Sequence, residues 1–95
     1  MHVRVVRFTD VSDEQFNAAV ARIEDAGGPP PGVSTQRLIA LRDAEQGTAV
    51  VLQFYESAED MQASARVLDA MDASETPGRR ASVDACEVKL DRKAS

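Results

Sequence analysis

Histidine and cysteine occur once each in this chain, and tryptophan does not occur at all. His2 and Cys86 stand at opposite ends of the sequence and make no recognised metal-ligand spacing. One thiol excludes an internal disulfide and a thiolate cluster. In its strand-like setting, Ala85-Cys86-Glu87-Val88, Cys86 reads as a small buried hydrophobe. A serine hydrolase would need a Gly-flanked Ser elbow, which is missing, and would have only His2 as base. The C-x-x-C pair of metal chaperones is absent. So is the glycine-rich phosphate cradle of acylphosphatase-like enzymes, because Thr9-Asp10-Val11-Ser12 is acidic and has no glycine. No apolar run approaches the roughly 20 residues of a membrane helix. Met1-His2-Val3-Arg4 leads into a strand pattern without the charged and apolar segments of a secretory leader. The expectations are a cytoplasmic location, no membrane partner, no metal and no cofactor.

Positive charge is also scarce. Asp and Glu number 16 against 11 Lys and Arg, giving a formal net charge of −5. The acids gather around two helical segments (Asp10, Asp13, Glu14, Glu24 and Asp25; Glu56, Glu59, Asp60, Asp69, Asp72 and Glu75), whereas Arg4, Arg7, Arg37, Arg42, Arg79 and Arg80 lie in or beside strands. Acidic helix faces repel phosphate backbones, which excludes nucleic acid as a partner. RNA-recognition modules would further need aromatics on the central strands for stacking.

What the chain does contain is an internal echo. Val5-Val6-Arg7-Phe8-Thr9-Asp10-Val11-Ser12 and Val51-Leu52-Gln53-Phe54-Tyr55-Glu56-Ser57 each run from an apolar strand ending in Phe, through an acidic turn, to a Ser that opens a helix. The first strand is expected over Val3–Phe8. The first helix starts at Ser12, with Gln15 completing an S-x-x-Q capping box and Val11 and Phe16 placed as a hydrophobic staple. Phe16, Val20 and Ile23 recur at helical spacing, and Gly27 supplies a left-handed stop. Gly28-Pro29-Pro30-Pro31-Gly32 reads as a stiff connector or a pocket lid. Strands follow at Thr35–Arg42 and Thr48–Tyr55, joined by the Asp43–Gly47 turn. A second helix begins at Ser57 with Met61, Ala65 and Leu68 inward, and a last strand covers Ala81–Leu90. Residues 91–95 form a frayed polar tail. The 95 residues therefore form a single domain of βαββαβ order, the ferredoxin-like α+β arrangement: a four-stranded antiparallel sheet with two helices on one face.

A sheet with one face in water should alternate apolar and polar residues. The third strand does not. Val50, Leu52 and Phe54 occupy one face, while Ala49 and Val51 share the other with Gln53 and Tyr55. Both faces need cover and two helices cover one, so a homodimer packed sheet to sheet is expected. A chain of this length buries only about 60–65% of its unfolded surface, which favours the same answer.

Three segments carry a family resemblance: Val3-Arg4-Val5-Val6-Arg7-Phe8, Pro31-Gly32-Val33, and Val51-Leu52-Gln53-Phe54-Tyr55-Glu56-Ser57-Ala58-Glu59-Asp60. Together they resemble the dimeric α/β-barrel superfamily, and within it the antibiotic-biosynthesis-monooxygenase-like group. The resemblance implies a homodimeric α/β barrel and cofactor-free oxygenation of a small aromatic or polyketide-like molecule. The alternative is a non-catalytic small-ligand-binding or structural dimer. The haem-degrading branch is not matched: its Asn, Trp and His have no counterparts, with Arg7-Phe8 ending the first strand and Ser64 standing where the Trp would be.

Aligning the two halves of the echo equates Arg7 with Gln53 and places both on one face with Val5, Val51 and Tyr55. Arg7, Gln53 and Tyr55 are therefore the candidate ligand-binding residues: a cation, an amide and a phenol able to orient a small anionic or phenolic molecule. In the competing arrangement Arg7 pairs with a carboxylate such as Asp84 or Glu87, from its own chain or a partner. A cavity of about 300 Å³ or more would favour a ligand site, and a solid core the non-catalytic dimer.

Overall fold

A computed structural model describes residues 1–70 and 76–94. Asp72 and Glu75 of the second acidic cluster, and Ser95, the last residue of the expected tail, lie outside the described residues. The first helix, α1 (Asp13–Ala26), begins where the capping box places it. Ser12 Oγ accepts from the Gln15 amide at 3.1 Å, and Gln15 Oε1 accepts from the Ser12 amide at 3.0 Å. Gly27, at φ 70°, ends it in the left-handed conformation that glycine adopts without a Cβ penalty. Helix α2 (Ala58–Asp69) repeats the device more simply, with Ser57 Oγ accepting from the Asp60 amide at 3.1 Å.

The strands are β1 (His2–Thr9), β2 (Arg37–Asp43), β3 (Thr48–Tyr55) and β4 (Arg79–Glu87). They form one antiparallel sheet in the order β2-β3-β1-β4, the ferredoxin-like βαββαβ fold. β2 starts two residues later than expected, and β4 starts two residues earlier and stops at Glu87. The early start of β4 depends on Gly78. Its φ is 77°, and a Cβ there would stand 2.5 Å from the Thr9 carbonyl oxygen and 2.7 Å from that of Asp10. Only glycine lets the chain pass close enough for Arg79 to pair with Thr9.

Cross-strand register assigns the faces. β1 pairs Arg4 with Gln53, Val6 with Val51 and Phe8 with Ala49, so these six side chains share a face. The helices pack on it. Val6, Phe8, Val11 and Ala49 are the buried centre, with Phe16 of α1 and Val51 against them. Arg42 clamps one end of this layer. Its guanidinium donates to the carbonyls of Asp43, Thr48 and Val11 at 2.9–3.0 Å, meets Asp13 at 3.1 Å and lies over the Phe16 ring. The turn between β2 and β3 is thereby tied to the junction of β1 with α1.

The opposite face carries Val3, Val5 and Arg7 of β1, Val50, Leu52 and Phe54 of β3, Ile39 and Leu41 of β2, and Asp84 and Cys86 of β4. No helix covers it. Leu41 is 49% exposed as a result. Cys86 is exposed, not buried as its strand setting suggested, because β4 is an edge strand and this face is open. No helix among the described residues is long and apolar enough to cross a membrane.

Candidate functional site

Between the sheet and the helices lies a cleft of about 1110 Å³. The sheet supplies Val6, Val51 and Leu38 to its floor, α1 supplies Ile23 to one wall, and Leu68 of α2 lies on the other. Ile23 and Leu38 show why the space is open. Both point inward by the helical and strand periods, yet they are 44% and 39% exposed because the C-terminal half of α1 stands off the sheet. Pro29, Pro30 and Pro31 form part of the same wall, so the stiff segment expected as a connector or lid does border a cavity. The volume exceeds the threshold of about 300 Å³ for a ligand pocket.

A polar corner closes one end. Arg4 is 5% exposed and donates from Nη1 to Gln53 Oε1 at 2.9 Å and from Nη2 to Asp69 Oδ1 at 2.8 Å. Asp69 Oδ1 also receives Arg80 Nη1 at 3.0 Å. Arg4 Nε is buried without a hydrogen-bond partner. β1 and the start of β4 thus meet at the carboxylate of the last residue of α2, and β3 joins them through Gln53 on Arg4. Behind α2, the Ser64 hydroxyl is fully buried and accepts from the Ser34 amide at 3.0 Å, fixing the helix to the segment that leads into β2.

The expected trio does not assemble. Gln53 and Val51 share the helix-side face, as expected, and Gln53 lines the cleft. Tyr55 is on that face too, but its side chain is fully buried, its hydroxyl accepts from Thr35 Oγ1 at 3.2 Å, and it is not among the residues described at the cleft wall. Arg7 is on the other face. It pairs with Val50, not Gln53, and is exposed. Alignment of the two halves identified equivalent positions, whereas facing is decided by antiparallel register, which sets odd-numbered β1 residues beside even-numbered β3 residues. The cation that does meet Gln53 is Arg4. Its strand position was readable, but its partners Asp69 and Arg80 come from distant parts of the chain that no local pattern joins.

Chemically, the corner offers fixed hydrogen-bond donors beside an apolar hollow. Among the described residues no three His, Cys, Asp or Glu side chains converge as metal ligands would. No family model matches this chain, and a comparison with curated proteins gives no match.

Proposed function

We propose that the protein is a homodimer that binds a small apolar molecule, aromatic or polyketide-like, in the cleft between its helices and its sheet. The observation that carries this reading is the cleft itself: about 1110 Å³ bordered by Ile23, Leu38, Val51 and Leu68, with Arg4 and Gln53 in its wall. A space of that size between apolar walls leaves dispersion contacts unmade, and an apolar ligand supplies them. Dimerisation through the open face of the sheet accompanies the reading. It covers Val50, Leu52, Phe54, Ile39 and Leu41 without obstructing the cleft, which is on the other side.

A second reading gives the same cleft a reaction. The resemblance to the monooxygenase-like group attaches cofactor-free oxygenation, in which an enolisable aromatic substrate itself supplies the electrons to dioxygen. Arg4 favours it, since a buried guanidinium stabilises a neighbouring enolate.

Titration with the neutral fluorophore 1-pyrenebutanol tests the binding reading. Saturation at one equivalent per chain is expected, with at least tenfold weaker binding in Leu38→Trp, which fills the cleft from β2. No saturable binding overturns it. Light scattering of the same samples should give twice the chain mass, and Leu52→Asp should halve it. Oxygen uptake with an anthrone decides the second reading.

A further inference from the structure

Among its described residues, the cleft wall reverses the charge balance of the chain. Among the described residues in its wall are Arg4, Arg22, Arg37, Arg79 and Arg80, five of the 11 basic residues of the chain, against Asp69 alone of the 14 described acids. A protein with net charge −5 has thus placed almost half of its cations around this apolar hollow. Solvated charges have no physical reason to sort themselves in this way, whereas an anionic ligand gives them one.

The polar corner shows how such an anion would be held. A single oxygen, Asp69 Oδ1, takes a hydrogen bond from Arg4 at 2.8 Å and forms an ion pair with Arg80 at 3.0 Å. Their roles differ by burial. The Arg4 side chain is 6% exposed and held by Gln53, so its charge is a fixed part of the wall; the Arg80 side chain is 41% exposed on an edge strand and can re-aim. The Asp69 side chain is half exposed at the very end of α2, so its carboxylate can be released to water at little expense. Two cations that share one carboxylate keep a net positive charge, beside apolar walls that weaken solvent screening.

We infer that the Arg4–Asp69–Arg80 corner is the seat for a ligand carboxylate, and that the ligand class is an apolar monocarboxylate whose hydrophobic body fills the cleft. Asp69 occupies the seat when it is empty. The ligand carboxylate takes Arg80 in a forked pair as Asp69 withdraws. This rests on the cleft being a ligand site, and the test separates the two claims.

The probes are 1-pyrenebutyrate and 1-pyrenebutanol, matched bodies with and without a carboxylate, titrated by fluorescence at pH 7.5. The carboxylate should bind at least tenfold tighter, and the preference should shrink as salt rises. Arg80→Gln should bring the ratio of the two affinities to about one, and Arg80→Lys should keep part of the preference. Asp69→Asn, which removes the competing carboxylate, should tighten pyrenebutyrate at least threefold. Equal affinity for the two probes overturns the carboxylate seat and leaves the cleft reading standing; binding of neither overturns both. A preference that survives in Arg80→Gln, or weaker pyrenebutyrate binding in Asp69→Asn, overturns the assignment to this corner.

Discussion

The pairing of Arg4 with Gln53 makes a quantitative claim about stability. Replacing Arg4 with Met strands Gln53 Oε1, an acceptor on a residue only 9% exposed, and an orphaned buried acceptor costs about 1–3 kcal/mol. Two effects reduce the loss. Arg4 Nε is already buried without a partner, so removing it relieves an existing penalty. Asp69 keeps Arg80 and is half exposed, so it does not become an unpaired buried charge. The net loss for Arg4→Met is about 1 kcal/mol. Gln53→Leu is worse, about 2–3 kcal/mol, because it takes an acceptor from a buried guanidinium whose Nε has none. In the double variant Met faces Leu beside Val6 and Val51, and it should lie within about 1 kcal/mol of the native protein. The coupling between the two positions is therefore at least about 2 kcal/mol. Urea unfolding of all four proteins measures it, and thermal unfolding should place Gln53→Leu about 10 °C or more below the parent. If the double variant simply sums the singles to within about 0.5 kcal/mol, the two side chains do not depend on each other and the account of the corner is wrong.

Three further perturbations test the frame that holds the cleft. Ser12→Ala removes one half of the capping box and should cost about 1 kcal/mol; an unchanged urea midpoint would show that α1 does not depend on this cap. Gly78→Ala puts a methyl 2.5 Å from the Thr9 carbonyl oxygen at a positive φ, and should destabilise by about 2 kcal/mol or more, with loss of hydrogen-exchange protection along the β1–β4 ladder. The Asp43 carboxyl is held below its usual 3.8, first by the Gln46 backbone N–H and then by the Gln46 side-chain amide. Because the folded value is the depressed one, this contribution is complete above pH 3.8 and is lost as pH falls through the folded value. Carboxyl NMR should find Asp43 titrating below 3.8, and Gln46→Ala should bring it back toward that value.

The parts of this molecule that were readable from sequence are those set by neighbours. The Ser12–Gln15 box, the Gly27 stop, the Ser57 cap and the turn between β2 and β3 each draw on residues within a few positions of each other, and the βαββαβ order follows from them. Gln53 was readable as a polar residue on an apolar face because strand alternation is local. Arg7 was misplaced because its face depends on how β1 meets β3, and the echo between the halves carries no information about that register. Tyr55 looked like a site residue because its phenol is polar, and Thr35, 20 residues away, satisfies it inside the core. The Arg4–Asp69–Arg80 corner was the least legible part. It exists only when the end of α2 and the start of β4 arrive beside β1.

The central claim, that the cleft is where a ligand sits, is tested most directly by amide chemical-shift mapping of the ¹⁵N-labelled protein during titration with neutral 1-pyrenebutanol, which does not depend on the charge of the corner. The account predicts saturable shifts concentrated at Ile23, Leu38, Val51, Gln53 and Leu68, with little change at Val5, Leu41 and Leu52 on the opposite face. Shifts confined to the open face, or no saturable shifts at all, would contradict it.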